Sequence, residues 1–201
     1  NQKGGVGKTT TVINLAAGLA FQNKKILVID LDPQGNATTG LGLSNFENSD
    51  ETIYGVLNGR KKISEVIKKT QFQNMELISS NVDLSGLEVE TAGDNRRAFI
   101  LKEQLMSYLE EFKDRYDYVL IDCPPSLSLL TVMALVTSHS LVVPLQTEFF
   151  ALEGLTQLIK TIERIKLNLN PELKIEGILL TMYDKRNKLS SQVEKEARDY
   201  F

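Results

Sequence analysis

Apolar residues recur along this chain in two alternating rhythms. Val12, Leu15, Ala16 and Leu19 fall three to four positions apart, which predicts a helix over Lys8 to Phe21. The unbroken run Ile26-Leu27-Val28-Ile29 then ends at Asp30, the pattern of a strand covered on both faces. Pro33 to Asn58 is rich in Gly, Asn, Thr and Ser and reads as a long loop with a short helix near Ile53 to Leu57. Ile63 to Lys69 reads as another short helix and Met75 to Ile78 as a strand. Arg97 to Arg115 reads as a long amphipathic helix, with Ile100, Leu101, Leu105, Tyr108, Leu109 and Phe112 on one side. A second buried-strand run, Tyr118 to Ile121, ends at Asp122 and is broken by Pro124-Pro125. Then follow a helix over Leu127 to Ser138, a strand over Leu141 to Leu145, and a helix over Leu152 to Leu167. That last helix turns Leu155, Leu158, Ile159, Ile162 and Ile165 inward. Ile178 to Met182 reads as a strand and Leu189 to Phe201 as a final helix.

Strands alternating with helices predict an α/β fold of three layers, a mainly parallel sheet flanked by helices. Ligands of such sheets sit beyond the carboxyl ends of the strands. The polar residues at those ends are Asp30, Asp32, Asp122 and Asp184. With 201 residues, 42% apolar and 24% charged, one globular domain over residues 1–201 is expected. This composition excludes a disordered chain, a collagen and a disulfide-rich mini-protein. No apolar run approaches the ~18 residues of a membrane span. The single Cys123 forms no internal disulfide, which suits a reducing cytoplasm. A net charge of −3 gives no global basic field, so any DNA contact must come from a local patch. The chain opens at Asn1 without Met, where a strand normally precedes the motif described next. A fragment is therefore expected, lacking the first strand and the C-terminal end.

The strongest chemical signal is Lys3-Gly4-Gly5-Val6-Gly7-Lys8-Thr9-Thr10. Its glycines let backbone N–H groups converge on phosphate oxygens without a Cβ in the way. The helix that follows places its positive dipole end at the anion. Lys8 supplies a point charge for the β and γ phosphates, and the Thr9 hydroxyl suits Mg²⁺. Asp122, at the carboxyl end of its strand, stands where a carboxylate holds Mg²⁺ directly or through water. Asp32 precedes the strand-stopping Pro33, where a carboxylate is able to orient a water near the γ-phosphate. Asp30, on the same face, has three readings: a lysine partner, support for the Mg²⁺ shell, or a strand-end cap. Cys123 reads as a packed small residue and His139, the lone histidine, as structural.

The loop departs from the standard pattern: Gln2 stands where the first Gly belongs, and an extra lysine, Lys3, precedes the glycines. This resembles the deviant Walker A signature K-G-G-x-G-K-S/T of the ParA/MinD family of P-loop ATPases. The resemblance continues at Val28-Ile29-Asp30-Leu31-Asp32-Pro33-Gln34-Gly35-Asn36 and at the Walker B-like Val119-Leu120-Ile121-Asp122-Cys123-Pro124-Pro125-Ser126. Phe149-Phe150-Ala151-Leu152-Glu153-Gly154-Leu155 and Leu179-Leu180-Thr181-Met182-Tyr183-Asp184 resemble the ParA/Soj branch in particular.

That resemblance implies ATP and Mg²⁺ as ligands, with Lys3, Gly4, Gly5, Val6, Gly7, Lys8, Thr9 and Thr10 on the nucleotide and Thr9 and Asp122 on the metal. It implies Asp32, Lys3 and Lys8 as catalytic residues. Lys3 would reach the partner subunit's ATP across a sandwich homodimer, as an arginine finger does. Met182 and Asp184 fall where the family contacts adenine or ribose. Pro124 to Ser126 and Phe149 to Gly154 fall on the dimer face, with core packing an equal reading for Phe149 and Phe150. Lys185, Arg186 and Lys188 form a local basic patch in which Arg186 matches a DNA-binding arginine of the branch. A solvated loop is the other reading of that patch. The implied function is a weak, partner-stimulated ATPase that binds non-specific double-stranded DNA as an ATP dimer. With a ParB-type centromere-binding protein it would segregate chromosomes or plasmids, in the cytoplasm and on the nucleoid, without a membrane. A MinD-like membrane-cycling ATPase is the alternative. Against it stand the Asp32-Pro33-Gln34-Gly35-Asn36 string and the Lys185-Arg186 pair. A metabolic phosphotransferase would need an acceptor pocket, for which the sequence offers no constellation.

Overall fold

A computed structural model describes residues 4–43, 48–148 and 151–200. The chain divides into two compact units, Thr9–Thr137 and a second formed by Ser138–Phe201 with Asn1–Lys8.

The first unit is built on helix α1 (Lys8–Phe21) and strand β1 (Ile26–Asp30). Around them lie α2 (Asn36–Gly40), α3 (Ile53–Leu57), α4 (Ile63–Val66), β2 (Ile67–Lys69) and β3 (Met75–Ile78). Short α5 (Leu87–Glu90), then α6 (Ile100–Glu111), β4 (Tyr118–Asp122) and α7 (Leu129–Thr137) complete it. The sheet order is β2-β3-β1-β4, with β1 parallel to both β3 and β4. Successive side chains of β1 enter opposite layers. Ile26 and Val28 join Ala16 and Ala20 of α1 on one face, with Leu41, Met75 and Leu77. Leu27, Ile29 and Leu31 face a second core with Val56, Leu101, Leu105 and Met133. Both faces are thus covered, which is why β1 reads as a continuous apolar run and is wholly buried. Each such side chain contributes on the order of 1.5–3 kcal/mol by leaving water.

Three sequence expectations change here. Ile63 to Lys69 is not one helix: α4 stops at Val66, and Ile67–Lys69 pairs antiparallel to β3 at the sheet edge. The paired lysines on that strand suit an edge that must not recruit another strand. The long helix is shorter than its apolar stripe. A 3₁₀ turn covers Arg97–Phe99, and the chain leaves helical geometry at Phe112 before Asp114 adopts φ 60°. Finally, β4 is only partly buried along Val119 to Ile121. Among the described residues it has a ladder partner on one side only.

In the second unit, β5 (Ser140–Gln146) and β6 (Lys174–Thr181) pair in parallel. Strand β6 starts earlier than Ile178 because a bulge opposite Leu141 and Val142 takes up Glu176 and lets the ladder continue. Helices α8 (Ala151–Asn168) and α9 (Lys188–Tyr200) complete this unit. The predicted stripe Leu155, Leu158, Ile159, Ile162 and Ile165 is buried, as are Val193 and Ala197 of α9.

Candidate functional site

The glycine loop belongs to the second unit. Gly5 and Gly7 have φ of 77° and 90°, the left-handed region that side chains rarely adopt. A Cβ on Gly4 or Gly5 would meet nothing within 4 Å, so the loop presents open backbone there. Val6 is its buried anchor, and the Val6 carbonyl accepts a hydrogen bond from Thr181 Oγ1 at 2.9 Å. Backbone alternating about positive φ is the geometry in which successive N–H groups gather an anion. Lys8, partly exposed, opens α1. Lys3, Phe149 and Phe150 lie outside the described residues.

The carboxylates belong to the first unit. Asp30 and Asp122 are the last residues of β1 and β4 and stand opposite one another in the ladder, both fully buried. By the alternation of β1, Asp30 lies on the α1 face, and its ladder partner Asp122 shares it. Because α1 returns to the start of β1 through a short loop, its Thr9 end lies toward the carboxyl ends of the strands. Thr9 and Asp122 thus present hard oxygen donors in one layer, the chemistry Mg²⁺ requires. Among the described residues no three His, Cys, Asp or Glu gather as a dedicated metal cage. Mg²⁺ commonly binds through one or two carboxylates plus phosphates and water.

Of its three readings, the hydrogen bonds of Asp30 fit the strand-end cap. Its Oδ2 accepts from Thr38 N at 2.8 Å and Thr38 Oγ1 at 2.7 Å, and its Oδ1 from Asp32 N at 3.1 Å. It caps α2 from a distance, and no lysine pairs with it among the described residues. Burial pushes its pKa above the usual carboxylate value, and the Thr38 bonds oppose that. Thr38 Oγ1 in turn accepts from Ser80 N at 3.0 Å, tying the loop after β1 to the one after β3. On this fixed loop sits Asp32, 6% exposed. Its Oδ1 accepts from Gln34 N at 3.0 Å, which leaves Oδ2 outside the loop's own bonding among the described residues.

Beyond β6, Met182 has φ 52° and is exposed, and its carbonyl accepts from Thr147 Oγ1. The Asp184 carboxylate takes Arg186 Nε at 3.1 Å and an Arg186 terminal nitrogen at 2.9 Å. Lys185 and Lys188 are exposed and have no ion-pair partner among the described residues.

A family model described as an AAA domain matches residues 1–175. The chromosome partitioning protein ParA of Caulobacter vibrioides is 50% identical over 201 residues, all of this chain and 74% of that protein. The sporulation initiation inhibitor protein Soj of Bacillus subtilis is 46% identical over the whole chain and 78% of its own length. The chain belongs to the ParA/Soj family. Its fold is that of solved neighbours. Cobyrinic acid a,c-diamide synthase from Mycobacterium smegmatis, with bound ADP and magnesium, has a TM-score of 0.90 at 38% identity, covering 100% of this chain and 80% of that one. A plasmid partition protein from Borrelia burgdorferi has a TM-score of 0.80 at 30% identity, covering 98% and 82%.

Within this ParA/Soj chain, sequence reasoning missed Thr38, Ser80 and Thr181. Each acts by a hydrogen bond to a residue some way off in sequence, and a lone threonine or serine carries no signal of that. Helix α2 was missed for the same reason, since its N-terminal partner is Asp30 rather than an adjacent cap.

Proposed function

We propose that this ParA/Soj-family ATPase is a nucleotide-switched homodimer that binds DNA non-specifically and drives chromosome or plasmid segregation with a ParB-type partner. The observation that carries it is the edge where Asp32 is held, buried, with one oxygen committed to its loop and the other outside it. The glycine loop and Lys8 bind the phosphates, with Lys3 reaching the partner subunit's nucleotide, and Met182 and Asp184 contribute at the nucleoside end. Thr9 and Asp122 would hold Mg²⁺, which would supply charge neutralisation at the phosphates. Asp32 Oδ2 accepts a hydrogen bond from a water whose oxygen bonds to the γ-phosphorus as the bond to the β,γ-bridging oxygen breaks; the water's proton leaves with the phosphate and ADP carries away the bridging oxygen. Hydrolysis is slow alone and stimulated by the partner, and the ATP and ADP states differ in dimer affinity.

The DNA contact is assigned to Lys185, Arg186 and Lys188. They stand at or just before the N-terminus of α9, whose first turn carries no acidic residue. Cations there oppose the helix dipole. They add nothing to the helix but strengthen a field that attracts phosphate. Among the described residues no helix is long and apolar enough to cross a membrane. The working place proposed is the cytoplasm, on the nucleoid.

The test is binding of the full-length protein to non-specific duplex DNA and, in parallel, to anionic liposomes. Each is run with ATP, with ADP and without nucleotide, across a salt series. ATP-dependent DNA binding that salt and Arg186→Ala both weaken supports the segregation switch. Liposome binding with none to DNA transfers the reading to a membrane-cycling ATPase.

A further inference from the structure

Arg186, on which the DNA contact rests, has its guanidinium already engaged. Its Nε and one terminal nitrogen take the two Asp184 oxygens at 3.1 Å and 2.9 Å, and its backbone N–H reaches Asp184 Oδ1 at 2.9 Å. This two-point fork is the geometry in which a guanidinium takes carboxylate or phosphate alike. The pair is exposed, with 90% of the Arg186 and 47% of the Asp184 side chain accessible. An ion pair so placed does little for stability. Of the three cations in the patch, Arg186 alone makes a close ion pair among the described residues, while Lys185 acts on Glu194 only through its charge.

We propose that Asp184 is an internal competitor for DNA phosphate, a positioning residue whose carboxylate occupies the Arg186 fork until a phosphate displaces it. This rests on the assignment of Arg186 to DNA and deepens it. Asp184 thereby sets the affinity of the site: part of every Arg186–phosphate contact is offset by the loss of the Arg186–Asp184 contact.

The experiment uses full-length protein and a fluorescent non-specific duplex over a salt series, with ATP at a concentration that nucleotide titration shows to saturate each variant. Wild type, Asp184→Asn, Arg186→Ala and the double variant are compared. Asparagine keeps an oxygen for the Arg186 backbone N–H, so the loop is preserved, and circular dichroism checks folding. Asp184→Asn is expected to bind DNA about two- to fivefold tighter, the scale of an exposed ion pair. Arg186→Ala is expected to bind more weakly, with a salt slope smaller by about 0.9. In the Arg186→Ala background the Asp184→Asn gain is expected to vanish. An equal gain in that background would mean mere removal of a negative charge near a polyanion, and would overturn the proposal. So would an unchanged or weakened Asp184→Asn. If Arg186→Ala leaves DNA binding unaltered, the assignment of Arg186 to DNA fails first, a result distinct from failure of the competition alone.

Discussion

Asp30 and Asp32 lie two residues apart and do different work. Asp30 spends both oxygens on Thr38 and the Asp32 amide, while Asp32 keeps Oδ2 outside the loop's bonds. Asp32→Ala is expected to lower ATP hydrolysis by about 10²-fold or more while ATP still binds, trapping the dimer. Phosphate release and nucleotide titration read the two effects separately. Asp30 has a pKa raised by burial, so its protonated form is favoured in the folded chain. Its contribution to stability is therefore full below the ordinary value of 3.8 and lost as pH rises through the raised value. Urea unfolding in EDTA, without nucleotide, is expected to show wild type losing stability relative to Asp30→Asn as pH rises above 3.8. A constant difference across that range would contradict it. The positions of these carboxylates were legible because each ends or follows an apolar run. Which of them was structural was not legible, because Thr38 and Ser80 reach Asp30 only through the fold.

At the scale of elements, the glycine loop is fastened by one side-chain hydroxyl. Thr181→Val removes the donor to the Val6 carbonyl while keeping the shape, at an expected cost of about 1 kcal/mol. ATP affinity should fall with it, as read by nucleotide titration beside a urea melt. Gly55 in α3 is tighter still: a Cβ there would stand 2.1 Å from the Asp50 carbonyl. Gly55→Ala is expected to destabilise the fold by about 3 kcal/mol or more in the same melt. Strands β1 and β3 and helix α8 were legible because period and burial agree along each, whereas in α1 the helix formed as its spacing predicts although Leu15 on that spacing is 40% exposed. Strand β2 was not: Ile67-Lys68-Lys69 is short and polar, and only its antiparallel place beside β3 makes it a strand. The end of α6 escaped because apolar Phe112 continues the stripe after the backbone has left the helix.

For the whole molecule, charge decides more than shape. If the proposed DNA contact holds, a chain of net charge −3 meets DNA through a local patch, so binding should depend on few contacts and fall with salt at a shallow slope, about 0.9 per phosphate neutralised. Between 50 and 200 mM salt, a plot of log affinity against log salt is expected to be linear. Its slope gives the number of phosphates neutralised. The family was legible because its signatures are contiguous strings, Lys3 to Thr10 and Asp30 to Asn36 among them. The division into two units was not, since it depends on which segments touch across long stretches of chain.

The bonds that fix Asp32 also mark the loop for isotope exchange. The amides of Asp32, Thr38 and Ser80 all donate to buried side-chain oxygens rather than to a strand or helix ladder. In deuterated water these protons should leave as slowly as those of β1, although two of the three lie in loops. Substituting Thr38 by Val would expose that dependence: the Ser80 amide should begin to exchange quickly while its neighbours in β3 stay protected. The same protons would then give a label-free clock for how firmly this edge is held in each nucleotide state.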